Sequence, residues 1–139
     1  MRELPRQLSR DELEALFSGP STLVSILAET EDPLGRAEEI ALGLPDGDKV
    51  EALAAHPRIG EPSAEQHGGN PAVLTELAYL NQVYEEKFGF RFVVFVAGRS
   101  RAELLPVLRE RLERTRAEEL ETGLRELVAI ARDRWTRIT

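Results

Sequence analysis

The chain has 139 residues, with 18 Lys and Arg against 25 Asp and Glu and a formal charge of −7. That length fits one domain, taken as residues 1–139, able to bury roughly two-thirds of the unfolded chain's surface. The acidic balance excludes broad nucleic-acid binding, which needs a basic face to neutralise phosphates, and the absence of cysteine excludes disulfides, thiolate catalysis and cysteine-ligated metals.

In chain order the pattern is helical almost throughout. Ser9 followed by Glu12 predicts a capping box, then Leu13, Leu16 and Phe17 at helical spacing, and a stop at Gly19-Pro20. A short helix follows from Ser21 to about Thr30, carrying Leu23, Val24 and Leu27. Asp32-Pro33 reads as an N-cap and first-turn pair for a helix bearing Ala37, Ile40 and Ala41. Asp46 or Asp48 is the expected cap of the next, whose apolar side is Val50, Leu53 and Ala54.

From Arg58 to Gly69 the periodicity lapses, which reads as a loop of the functional kind, solvated connections being the commoner case. Asn70-Pro71 then opens a strong helix with Val73, Leu77, Leu80, Tyr84 and Phe88, stopped by Gly89. Propensity alone makes the apolar run after it a strand. With no second strand signal to pair with, residues 90–97 are expected to be a buried extended connector through a helical core. Ser100 and Glu103 predict a second capping box, with Pro106 kinking that helix or shifting its start. The last helix runs from about Ala117 to Trp135, with Leu120, Leu124, Leu127 and Ala131 inward. The expected fold is all-α: a compact single-domain multi-helix bundle.

A few polar residues break these patterns. Arg134 falls close to the inner stripe of the last helix, whereas Arg132 points away. A cation aimed at a core needs an anion there, although a helix-end arginine more commonly snorkels to solvent. Asn81 lies on the stripe of Leu77 and Tyr84, where a buried amide is expected to brace a neighbouring loop. His56 ends its helix before Pro57. A helix C-terminus favours imidazolium, which suits a proton donor, while a lone histidine there is more often structural. Glu65 and Gln66 follow as a carboxylate and amide beside it. Taken alone, these residues permit acid–base chemistry on a small anion without naming it.

Together, the strings are more specific. His56-Pro-Arg-Ile-Gly60, Glu65-Gln66, Leu80-Asn81-x-x-Tyr84-x-x-Lys87-Phe-Gly-Phe90-x-Phe92 and the stretch from Arg114 through Glu119 and Glu126 to Arg134 cover nearly the whole chain. In this order they resemble the 2-oxo-4-hydroxy-4-carboxy-5-ureidoimidazoline (OHCU) decarboxylase family of urate degradation. The resemblance implies an all-helical, cofactor-free enzyme that removes carbon dioxide from OHCU to leave (S)-allantoin. It maps the catalytic residues to His56, Glu65 and Arg134. Pro57, Gln66 and the segment Phe92, Val93, Val94, Phe95 and Val96 would bind the substrate, the segment through backbone groups. Protonated His56 would deliver the proton and Glu65 would orient substrate or imidazole. The chain departs from the family pattern twice: Arg91 stands where proline is usual, and Pro62 replaces the serine usual three residues before the glutamate.

The expected partner is therefore the small anionic substrate OHCU, with no nucleic acid, no membrane, no metal and no cofactor. The longest apolar run, Phe92 to Ala97, is too short to span a bilayer, and no signal-peptide core opens the chain, so a cytoplasmic location is the expectation. Helical domains of this size often bury a face in a homodimer, which is the assembly the sequence allows. The rival class is an inactive helical interaction module of the same fold. A metal-dependent hydrolase would need ligands gathered around His56 or His67, and no paired spacing supplies them. The net charge also divides unevenly. From Arg99 onward ten arginines face eight acids, a local +2, leaving −9 on the first 98 residues. A small anion held by one inward arginine is compatible with that split.

Overall fold

The computed structural model describes residues 3–58 and 70–137. Seven helices are described: α1 (Arg10–Phe17), α2 (Thr22–Leu27), α3 (Pro33–Leu42), α4 (Asp46–Ala54), α5 (Pro71–Phe88), α6 (Arg101–Leu112) and α7 (Arg116–Arg137). The starts of α1 and α6 follow the expected capping boxes. Ser9 and Glu12 exchange side-chain-to-backbone bonds, as do Ser100 and Glu103, satisfying N–H groups that have no partner inside the helix. Asn70 caps α5 through the Ala72 N–H at 2.8 Å.

Two expected caps are not formed. Asp32 stands at the N-cap of α3, but its backbone is left-handed (φ 53°) and its side chain makes no capping bond. Its N–H instead donates to the Arg6 carbonyl at 2.7 Å, so the residue is shaped by the N-terminal segment lying across it. The N-cap of α4 is Pro45, with Asp46 and Asp48 already inside the first turn, where their charges complement the helix dipole. Asp46 is also held outward by a two-pronged pair with Arg116 at 2.8 and 3.1 Å. Pro106 neither delays nor ends α6: the helix runs through it, with the ring on the exposed side.

Helix α7 is the spine. It packs against α1, α3 and α4, while α5 and α6 pack together. The inner stripe of α7, with Leu120, Leu124, Leu127 and Ala131, is buried as expected and is joined by Val128 and Ile130. At Gly123 a Cβ would come within 3.3 Å of Leu53, so the missing side chain is what allows α4 to lie close on α7. Arg132 does not point away into solvent. Its Nε donates to the Leu34 carbonyl at 2.9 Å and ties α7 to α3.

The segment after α5 is the expected connector. Among the described residues there is no strand, and Phe92, Val93 and Val94 are buried while Phe95 and Val96 are half-buried. Its backbone partners are side chains. Val93 oxygen accepts from Arg111 at 2.7 Å, Phe95 N–H reaches Glu126 at 3.3 Å, and Phe95 oxygen accepts from Arg99 at 2.6 Å. That answers how an apolar extended run can be buried without a sheet.

The aromatic motif builds the wall behind it. Tyr84 lies 4.6 Å from Phe88 and 5.3 Å from Phe92 between ring centroids, tilted or edge-on, a favoured geometry for aromatic pairs. Gly89, with φ 82°, lets the chain turn from α5 into this cluster.

Candidate active site

His56 follows the last turn of α4 and is 7% exposed. Its N–H donates to the Leu53 carbonyl at 3.2 Å, so the main chain is still wound when it reaches the histidine. The ring turns toward the C-terminus of α1. There its Nδ1 lies 3.4 Å from Ser18 Oγ.

Arg134, from the far end of α7, arrives at the same serine. Its Nη1 donates to Ser18 Oγ at 2.7 Å and to the Leu16 carbonyl at 3.1 Å, with the Ala15 carbonyl at 3.4 Å. A cation at the C-terminus of a helix meets both the negative end of its dipole and its unpaired carbonyls. Arg134 therefore turns inward, as the helical stripe suggested, and the groups that receive it are main-chain oxygens of α1. His56 and Arg134 thus meet through one hydroxyl, although 78 positions separate them in the chain.

Arg91 holds the histidine's main chain. Its Nη1 donates to the Ala54 carbonyl at 2.8 Å and to the His56 carbonyl at 2.9 Å. The connector and the end of α4 are thereby joined at the residue that departs from the family pattern. Arg58 leaves the same region toward α5 and forms a fork with Glu85 at 2.7 and 3.0 Å.

The other expected site residues distribute as follows. Pro57 is half-buried beside His56. Glu65 and Gln66, with His67, lie outside the described residues. In the connector, the carbonyls of Val93, Phe95 and Val96 and the N–H of Phe95 are engaged by side chains of the protein itself. The structure thus does not leave all of the segment's backbone groups for a substrate. Asn81 is buried at 3% exposure, on the face where the pattern put it.

Behind the connector lies a charged cluster that sequence reasoning did not assemble. Glu119, fully buried, accepts from Arg111 at 2.7 Å, from Arg114 at 3.2 Å and from the Tyr84 hydroxyl at 2.6 Å. Burial, and then the bond to Glu119, pushes the Tyr84 hydroxyl well above the usual tyrosine range. The Arg111 guanidinium also lies 4.5 Å from the Phe92 ring centroid. A signal existed in the sequence: Glu119 sits beside Leu120 on the inner face of α7, where a carboxylate demands a partner. Sequence reasoning passed over Ser18, just before the Gly19-Pro20 stop. It singled out Arg91 only as a departure from the family pattern, without its bonds to the end of α4. Among the described residues no three His, Asp or Glu side chains gather as a metal-ligand set, and no helix is long and apolar enough to cross a membrane.

The family model for OHCU decarboxylase matches residues 2–136. The chain belongs to the OHCU decarboxylase family. Among curated relatives it is similar to the uric acid degradation bifunctional protein TTL of Arabidopsis thaliana, 33% identical over 108 residues, 66% of this chain and 33% of the relative. It is also similar to the 2-oxo-4-hydroxy-4-carboxy-5-ureidoimidazoline decarboxylase of Halalkalicoccus jeotgali, 30% identical over 103 residues, 66% of this chain and 58% of the relative. The chain thus spans about a third of the plant relative's length and 58% of the other's.

The crystal structure of an OHCU decarboxylase determined in the presence of (S)-allantoin superposes with a TM-score of 0.79 at 29% identity, covering 91% of this chain and 96% of that one. An (S)-allantoin synthase crystal structure shares the fold, with a TM-score of 0.71 at 20% identity over 91% of this chain and 48% of that one. The OHCU decarboxylase family is thus an all-α family in this chain too, with seven helices among the described residues.

Proposed function

We propose that this protein decarboxylates OHCU to (S)-allantoin without a cofactor, in urate degradation. The observation that carries the reading is the family match over residues 2–136, which includes both His56 and Arg134. Their convergence on Ser18 supports it. An interaction module would have little use for a buried histidine set against an inward arginine.

The chemistry asks for two things. The bond between the ring carbon and its carboxylate breaks, carbon dioxide leaves, and the bonding electron pair passes into the ring system. The carbon must then receive a proton on one face. In this proposal Arg134 contributes positive charge that attracts the anionic substrate, and His56 delivers the proton. Glu65 orients substrate or imidazole, with Gln66 and Pro57 beside it and Phe92 to Val96 lining the substrate through those backbone groups that the protein's own side chains leave available.

A proton donor in position is worth about 10²–10⁴-fold, so His56→Gln is expected to lose activity by that order while remaining folded. Near-wild-type turnover in that variant, with only (S)-allantoin formed, would assign the proton to another group. Turnover absent from the wild-type protein as well would favour the inactive interaction module.

A further inference from the structure

Arg111 is buried, and the carboxylate that answers its charge, Glu119, is buried completely. Such a pair is an expensive way to fill a core, since apolar side chains of the same volume often do as well or better. What apolar side chains cannot do is hold a main-chain oxygen. Arg111 does so with its planar fork: Nε donates to Glu119 at 2.7 Å while Nη1 donates to the Val93 carbonyl at 2.7 Å. The same guanidinium lies 4.5 Å from the centroid of the Phe92 ring. One rigid group therefore holds two successive residues of the connector.

Glu119 fixes that group in turn. It accepts from the Tyr84 hydroxyl of α5 at 2.6 Å and from Arg114, between α6 and α7, at 3.2 Å. The connector is thus tied at one point to α5, α6 and α7 together. Two residues on, a second anchor holds it: the Phe95 carbonyl accepts from Arg99 at 2.6 Å and the Phe95 N–H reaches Glu126 at 3.3 Å. Between the anchors Val94 is buried, yet its N–H and carbonyl are bonded to none of the described residues. Buried main-chain groups need partners, and a ligand lying along the connector would supply them.

We propose that Arg111 is a positioning residue for substrate binding: by fixing the Val93 carbonyl and the Phe92 ring, it sets where the connector's remaining backbone groups stand, those of Val94 above all. The inference rests on the reading that Phe92 to Val96 line OHCU. It gives Arg111 no part in proton transfer, because the main chain of His56 is held separately, by Arg91 and by the Leu53 carbonyl. Loss of Arg111 should accordingly weaken binding and spare the chemical step.

Steady-state kinetics on OHCU test this with two variants, Arg111→Lys and the double variant Arg111→Met with Glu119→Leu. Lysine keeps a charge for Glu119 but lacks the fork that meets both partners in one plane. The double variant removes both buried charges at once, which favours folding, while the Val93 carbonyl still loses its donor. Both variants should raise KM about tenfold, the equivalent of one hydrogen bond. Their kcat should change less than about twofold, the signature of lost binding. Arg114→Ala loosens Glu119 from the other side without a bond to the connector, and its KM should stay within about twofold of wild type.

Urea titration of the same proteins separates positioning from mere support. A structural role makes KM follow the loss of stability, whereas positioning keeps KM high in the double variant although its stability recovers. A folded Arg111 variant with the wild-type KM would overturn the inference alone, as would a KM in Arg114→Ala raised as far as in the Arg111 variants. Wild-type protein that does not turn over OHCU would overturn the proposed function, and this inference with it.

Discussion

The guanidinium of Arg91 donates to the main-chain oxygen of His56 at 2.9 Å, and to that of Ala54 at 2.8 Å. An arginine at the second position of the connector thus finishes helix α4, taking the carbonyl of its last residue and that of His56 just beyond it. Arg91→Ala should cost about 1 kcal/mol, since the group is only half-buried. It should also lower kcat by more than that loss explains, because the histidine's backbone loosens. Urea titration and steady-state kinetics on one preparation check both. Unchanged kcat alongside lowered stability would make Arg91 a structural cap only.

Glu119 is the most deeply buried charge among the described residues and answers Arg111, Arg114 and Tyr84 together. Replacing it by leucine leaves the Arg111 guanidinium buried without its anion, a change that costs about 3–5 kcal/mol. Glu119→Leu is accordingly expected to unfold at much lower urea. A variant carrying Arg111→Met as well should recover part of the loss, because removing both partners is cheaper than removing one. Equal stability of the single variant and wild type would contradict this account of the cluster.

The Tyr84 hydroxyl titrates above its ordinary value of 10.0, because of burial first and its bond to Glu119 second. A pKa raised by folding means that the protonated form favours the fold. The contribution is complete below pH 10.0 and is lost as the pH rises through the folded value. Wild-type stability should therefore fall above about pH 10, and Tyr84→Phe should fall less steeply from a lower starting level. Parallel alkaline limbs would show that the phenol is not responsible. On the acid side Asp46, Glu103 and Glu118 are held low, the first by Arg116 and the others by their capping bonds. Their support is present above the ordinary carboxylate range and fades as the pH drops through it, and it should be salt-sensitive because all three are on the surface.

Pro106 interrupts α6 where an N–H would reach the Ala102 carbonyl, yet the helix continues. Its exposed ring makes no contribution to the core that would offset this. Pro106→Ala should stabilise the protein by about 1–3 kcal/mol, read as a rise in the thermal midpoint with activity unaltered. A lower midpoint would mean that the proline has a packing role of its own.

Local chemistry was legible wherever it is local. The pairs Ser9–Glu12 and Ser100–Glu103 are readable because both members of a capping box lie three residues apart. The connector was readable by elimination, since a lone apolar run without a partner strand must find other hydrogen bonds. What those bonds are was not readable: Arg99, Arg111 and Glu126 come from the turn between connector and α6, from α6 and from α7, respectively. Asp32 shows the same limit, its capping chemistry being overridden by a backbone bond to Arg6. Helical phase turned Arg134 inward, but not toward Ser18, because the meeting depends on how α7 crosses α1. Ser18 carries no pattern that separates it from an ordinary surface residue, and the departure at Arg91 does not say which carbonyls its side chain will reach.

The central claim is that this chain accelerates loss of carbon dioxide from OHCU and protonates one face of the product. Freshly generated OHCU, followed by ultraviolet absorbance and circular dichroism with and without the protein, tests it most directly. Protein-dependent acceleration yielding exclusively (S)-allantoin is the predicted result; racemic allantoin formed at the spontaneous rate would contradict the account.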